Sequence, residues 1–179
     1  MSNTLDSKNQ VPIQNIILDT NILQYLSNRY ITNELNGYLL DLVTRGFGLG
    51  ISDISITELL QDATIAQEKI GLESLNLFNR YLLNENTLIG AAQFSTLYKN
   101  DGIKNDAISL ADKIIASSSV LSGSLILTAD VNDYPRPFFW EAEEKQIIYK
   151  KKNKTNMLVV QLLRPNVDYI NKRFAERPK

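Results

Sequence analysis

Two short, wholly apolar runs constrain this chain more than any other feature. Asn15-Ile-Ile-Leu-Asp19 and Ser124-Leu-Ile-Leu-Thr128 hold aliphatic residues with no alternation of polar and apolar positions. A strand with one wet face alternates, whereas a strand covered on both faces reads as a continuous apolar run. Helical spacing surrounds them. Ile22, Leu23, Tyr25 and Leu26 follow the first run, Leu35, Tyr38, Leu39 and Leu42 recur after that, and Ala107 to Leu121 precedes the second. Strands alternating with helices predict an α/β fold with a largely parallel sheet.

The remaining segments are expected as follows. Residues 1–14 form a polar leader without the apolar core of a signal peptide. No run approaches the ~18 apolar residues of a membrane span. Arg45 to Gly50 reads as a loop, and its Gly46-x-Gly48-x-Gly50 lacks the spacing of a dinucleotide fingerprint. Ile51 to Ile54 reads as a short strand, and Ile56 to Leu83 as a long helical region broken near Gly71. Thr87 to Gly90 reads as a short strand or turn, and Tyr134-Pro-Arg-Pro137 as a turn. Gln146 to Lys151 and Met157 to Leu163 read as a hairpin separated by Lys152 to Asn156, with a closing helix over Val167 to Phe174. No repeat or linker argues for two separate folding units.

Composition narrows the chemistry. The 179 residues include no histidine and no cysteine. That excludes disulfides, Cys/His zinc sites, a Ser-His-Asp triad and a cysteine nucleophile. It also fits a cytoplasmic protein. An enzyme so built activates water most directly by gathering carboxylates around a hard divalent cation. The charge is unevenly spread. Residues 1–144 carry 9 basic and 18 acidic side chains, and residues 145–179 carry 10 basic and 2 acidic ones. A basic end on an acidic body suits a polyanionic partner, or simply a solvated tail.

Four carboxylates stand out. Asp19 and Asp130 each follow a buried strand, at the sheet edge where ligands of parallel sheets bind, although each could merely cap the next helix. Glu58 lies in Ser55-Ile-Thr-Glu58, which also reads as a capping box opening the long helix. Asp112 shares a helical face with Ile108, Ser109, Ile115 and Ala116, where a carboxylate needs a partner. Ser109 could cap that helix, but Asn105 and Asp106 are the better caps.

These residues, in this order, resemble the PIN domain family of metal-dependent nucleases. The resemblance lies in Ile16-Ile-Leu-Asp-Thr-Asn-Ile-Leu23, in Ile51-Ser-Asp-Ile-Ser-Ile-Thr-Glu-Leu59, and in Leu110-Ala-Asp-Lys-Ile-Ile-Ala116 running on to Leu125-Ile-Leu-Thr-Ala-Asp-Val-Asn-Asp-Tyr134. It implies a three-layer α/β/α sandwich over residues 15–140, and the basic hairpin-and-helix extension over 141–179, a departure from the family, is expected to pack on the same domain. It implies an acidic pocket holding Mg²⁺ or Mn²⁺. Matched residue by residue, Asp19, Glu58, Asp112 and Asp130 form that pocket. Asp19, Asp112 and Asp130 are the primary ligands, and Glu58 ligates directly or through water. Thr20 and Asn21 follow the first aspartate as they often do in the family, the Thr128 hydroxyl orients the pocket, and Asp133 holds a more variable acidic position. Extra helix between Glu58 and Asp112, and everything after Trp140, set the chain apart from compact toxins of the family.

The expected activity is metal-dependent endonucleolytic cleavage of single-stranded RNA. Lys145, Lys150, Lys151, Lys152 and Lys154 are expected to hold the phosphates. Tyr149 and Phe138 could stack on bases, with core packing the favoured role. An antitoxin protein and a homodimer are both open as partners. Two rival readings stand beside it. One is a non-catalytic nucleic-acid or protein-binding module of the same fold. The other is a phosphohydrolase with Asp19 as nucleophile, which Asn21 disfavours because such enzymes carry a second Asp there.

Overall fold

A computed structural model of the protein describes residues 14–61, 75–104 and 107–176. The first apolar run is β1 (Asn15–Leu18), and α1 (Thr20–Leu26) and α2 (Thr32–Thr44) follow. Next come β2 (Gly48–Ser52), α3 (Asp53–Leu60), β3 (Asn79–Tyr81) and α4 (Glu85–Asn100). Then α5 (Leu110–Ser122) leads into the second apolar run, β4 (Leu125–Thr128), and a 3₁₀ turn over Val131–Asp133. The long strands β5 (Phe139–Lys151) and β6 (Lys154–Pro165) and the helix α6 (Val167–Ala175) complete the chain.

The six strands form one sheet in the order β3-β2-β1-β4-β6-β5. The first four are parallel, whereas β6 runs antiparallel to both β4 and β5. Leu18 lies level with Ile51 and Leu127, so β1, β2 and β4 end at one edge. Strand alternation sorts the core into two layers. Ile16, Leu18 and Leu127 pack with Ile22, Leu35, Leu42 and Ile56 of α1, α2 and α3. Ile17 and Ile126 pack with Phe94, Tyr98, Ile115 and Ile170 of α4, α5 and α6. The result is a three-layer α/β/α sandwich with a mostly parallel sheet. Within one outer layer, a Cβ at Gly90 of α4 would overlap the Ser117 hydroxyl of α5, so the two helices approach closely there.

The hairpin belongs to the sheet. Strand β4 pairs with β6 over Ile126 to Thr128, opposite Leu163 to Gln161. From Gln161 back to Lys154, β6 continues with β5 roughly 20 Å beyond the end of β4. The turn is only Lys152-Asn153, with φ of 48° and 62°, the two left-handed residues of a tight hairpin connection. Ala142 is the extra residue of a bulge between Glu141 and Glu143. It flips the side-chain alternation, so Glu143 reaches α2, where it accepts from Tyr38 (3.0 Å) and Arg45 (2.6 Å).

Several sequence expectations are corrected. Gly48 to Gly50 lie in β2 and not in a loop, and the strand expected to run to Ile54 stops at Ser52 because α3 begins at Asp53. The N-cap of α3 is therefore Ser52, and the Ser55-x-x-Glu58 capping box does not form. The long helix expected to Leu83 ends at Leu60, and Asn79 to Tyr81 is an edge strand. Its expected break near Gly71 lies outside the described residues, as does nearly all of the leader. Thr87 to Gly90 is the first part of α4, capped by the Asn84 side chain on the Thr87 amide. Ser109 caps α5 in a full capping box with Asp112, while Asn105 and Asp106 lie outside the described residues. Both hairpin strands are longer and their turn shorter than expected. Among the described residues no helix is long and apolar enough to cross a membrane.

Candidate metal centre

Asp19 sits where β1 gives way to α1, and its side chain is 2% exposed. It does two things there. One oxygen caps α1 by accepting from the Thr20 amide (2.6 Å). The other accepts from Asn21 Nδ2 (2.7 Å) and Thr128 Oγ1 (2.7 Å). Asn21 is itself fixed, since its Oδ1 accepts from the Ala129 amide (3.0 Å) just past β4. The Thr20 hydroxyl donates to Glu58 Oε2 (2.6 Å), tying α1 to α3. Thr20, Asn21 and Thr128 thus hold Asp19 and Glu58 in place from two strand ends.

Asp112 reaches the same edge from the first turn of α5. One of its oxygens accepts from the Ser109 amide (2.9 Å), while Ser109 Oγ accepts from the Asp112 amide (3.1 Å). The capping box fixes Asp112 without using both of its oxygens. Asp133 arrives from the 3₁₀ turn after β4. Asp19, Asp112 and Asp133 each offer a carboxylate oxygen within 4.8 Å of the others. Asp130 is not in that group. It is exposed, and its Oδ1 accepts from the Asn132 amide (3.0 Å) and side chain (2.9 Å), capping the 3₁₀ turn.

The electrostatic strain of this arrangement is concentrated on two carboxyls. Burial pushes Asp19 up to about 6, and the negative charges of Asp112 and Glu58 add to that, against the Thr128 and Thr20 hydrogen bonds. Burial likewise lifts Asp133 to about 7, helped by Asp112, Asp130, Asp19 and Glu58. Behind them the fully buried Tyr134 hydroxyl has no hydrogen-bond partner among the described residues, and burial, with Asp19, Asp112 and Asp133 adding to it, holds its proton firmly. Hard oxygen donors crowded together at one strand edge suit a divalent cation such as Mg²⁺ or Mn²⁺, whose charge would relieve the repulsion. Sequence reasoning gave Asp133 a minor place. The signal that could have raised it was its position three residues past Asp130, far enough for the 3₁₀ turn to bring it back over the strand ends.

The structure separates the other candidates. Lys145, Lys150, Lys151, Lys152 and Lys154 are all exposed on the hairpin. Lys145 lies over the Tyr38 ring (5.9 Å) and Lys151 over Tyr30 (5.7 Å). Because the hairpin overhangs the ends of the parallel strands, its tip stands on the same side of the sheet as the carboxylates. Phe138 is fully buried in an aromatic cluster with Phe94, Tyr98 and Tyr169, and Tyr149 packs on the α2 layer. A cleft of about 390 Å³ opens between the 3₁₀ segment and the base of the hairpin, bordered by Asn132, Tyr134, Arg136, Glu141 and Gln161.

No family model matches the chain, and no curated protein does. Solved structures do. A chain of VapBC2 from Rickettsia felis, bound to a DNA fragment from its promoter, superposes with a TM-score of 0.56 at 20% identity, covering 68% of this chain and 91% of that one. A chain of DNA-bound VapBC from Salmonella typhimurium gives 0.55 at 17%, covering 69% and 92%. A chain of a toxin–antitoxin complex from Klebsiella pneumoniae gives 0.52 at 22%, covering 68% and 92%. The shared feature is the fold, which is that of the PIN domain.

Proposed function

We propose that this chain is a Mg²⁺- or Mn²⁺-dependent endoribonuclease acting on single-stranded RNA, and that an antitoxin protein is its partner. The observation that carries the reading is the convergence of Asp19, Asp112 and Asp133 at the carboxyl edge of β1 and β4, in a PIN-type fold. In this reading these three carboxylates hold the cation, with Glu58 and Asp130 at the margin of the site. When bound, the cation supplies an activated water and neutralises charge on a phosphodiester.

The chain's own residues do the rest. Thr128 and Asn21 keep Asp19 aimed outward by their 2.7 Å hydrogen bonds. The Thr20–Glu58 bond holds the fourth carboxylate over the same edge. An uncompensated acidic pocket repels RNA, so attraction must come from elsewhere. Lys145, Lys150, Lys151, Lys152 and Lys154 supply it, gripping phosphates whatever the sequence. The cleft beside Asn132 and Arg136 is wide enough to take part of a nucleotide, and Asp19, Asp112 and Asp133 do not line it.

The test is cleavage of tRNA, mRNA, rRNA and single-stranded DNA with Mg²⁺ or Mn²⁺, wild type against Asp19→Asn. Single-stranded RNA is expected to be cut by the wild type alone. Undiminished cutting by Asp19→Asn would sink the assignment.

A further inference from the structure

The outer edge of β5 is long, open and patterned. It is the last strand of the sheet, 13 residues from Phe139 to Lys151, and no described strand pairs with its far side. Between Trp140 and Lys151 only Ile147 is buried. A row of free backbone N–H and C=O groups of this length is a template for another strand. The charges along it are unevenly spread. Glu141, Glu143 and Glu144 lie towards one end, with Lys145 just after them, and Lys150 and Lys151 lie at the other, with Ile147 and Ile148 between.

We propose that a second copy of this chain pairs antiparallel with that edge, with Ile147 on the two-fold axis. An axis perpendicular to the sheet keeps each face continuous across the junction, so opposed residues must both be even-numbered or both odd-numbered. The register centred on Ile147 sets Glu144 opposite Lys150 and Glu143 opposite Lys151, each twice, and Lys145 opposite Tyr149. Shifting by two in one direction sets Lys145 against Lys151. Shifting by two in the other sets Glu143 against Tyr149 and Glu144 against Ile148. Of these three registers only the central one sets both Glu143 and Glu144 opposite lysines, and such cross-strand pairs stabilise a sheet while like pairs oppose it.

The acidic half is already held for this purpose. Glu143 is fixed by Arg45 (2.6 Å) and Glu144 accepts from Gln161 (2.8 Å), so both carboxylates are anchored on their strand faces. Lysines commonly blunt an edge against self-pairing. Here the facing strand of a second copy supplies carboxylates to Lys150 and Lys151, which offsets that effect. The bulge at Ala142, another guard, lies outside the paired segment.

The pairing engages Lys150 and Lys151 and leaves Lys145, Lys152 and Lys154 of the hairpin lysines for phosphates, and its test needs neither RNA nor metal. Sedimentation equilibrium of the full chain should give twice the 20.3 kDa monomer mass. Glu144→Lys alone and Lys150→Glu alone each turn two attractive pairs repulsive, and each should weaken dimerisation by at least about tenfold. An equimolar mixture of the two variants restores all the pairs in a heterodimer and should sediment as a dimer again. That recovery also shows that each variant is folded. A monomeric wild type, a dimer indifferent to both substitutions, or a mixture no heavier than its components would each overturn the proposal.

Discussion

The carboxyl edge of β1 and β4 and the hairpin β5–β6 both carry charge, and they carry it in opposite ways. At the edge, the fold drives like charges together from α1, α5 and the 3₁₀ turn, and neither Asp19 nor Asp133 has an ion-pair partner among the described residues. On the hairpin, charges of both signs are spread along an exposed strand, where several already have partners such as Arg45 for Glu143. Burying carboxyls and crowding them with like charge costs folding free energy, and the cost shows in the raised carboxyls, burial contributing most. Spreading costs little and says little, unless the order of the charges matters. Burial and convergence therefore mark the edge as a candidate site, whereas only sequence order marks the hairpin as a surface.

Substitutions can test this contrast at several points. Asp19→Asn should have the largest effect, lowering metal-dependent cleavage by more than about a hundredfold, the upper end of what even a supporting residue costs. Circular dichroism should show the fold intact, since Asn still caps α1. Asp133→Asn against Asp130→Asn separates the crowded position from the capping one. Calorimetric titration with Mn²⁺ should show at least about a tenfold loss of affinity for the first and a much smaller one for the second. Equal losses would mean that the two carboxylates share the cation. On the hairpin, neutralising Lys150, Lys151, Lys152 and Lys154 should weaken RNA binding and flatten its salt dependence by about 0.7 in log–log slope for each phosphate no longer neutralised. An unchanged slope would remove the hairpin from the RNA path.

The smallest effect concerns stability. Asp19 at about 6 and Asp133 at about 7 hold protons that an unfolded chain, with Asp near about 3.9, has already released. The folded protein thus binds more protons between about pH 4 and pH 7, and metal-free stability should fall as pH rises through that window. Thermal melts should show this slope, and Mn²⁺ should reduce it by compensating the carboxylates that ionise. A metal-free melting temperature that climbs from pH 5 to pH 7.5 would contradict the crowding.

What could be read from the sequence follows from burial. Strands β1 and β4 are covered on both faces, so their residues have no freedom to be polar, and the carboxylate after each is conspicuous. Strand β3 was unreadable because Asn79-Arg80-Tyr81 lies at an edge, largely exposed, with Arg80 tied to Asp53. The start of β5 was hidden for the same reason, since Glu-Ala-Glu-Glu is a polar edge that owes its strand form to β6. At the candidate site, Asp19 and Asp112 could be picked out by local context. Asp133 offered only its spacing from Asp130, because its approach to them depends on a three-residue turn whose geometry no periodicity encodes. Glu58 was ambiguous for a different reason: Ser55-x-x-Glu58 reads as a capping box, whereas β2 ends at Ser52, which becomes the N-cap of α3 and leaves Ser55 inside the helix.

Gly90 carries no charge and touches no carboxylate, yet it sets how near α4 can stand to Ser117, and Ser117 shares its helix with Asp112. A methyl group added at Gly90 would meet the Ser117 hydroxyl first, which can rotate away because it has no hydrogen-bond partner among the described residues, and then the Ser117 Cβ at 3.1 Å, which asks only a small adjustment of the two helices. The spacing of the helix that carries Asp112 is thus set in part by a residue that chemistry alone would never single out.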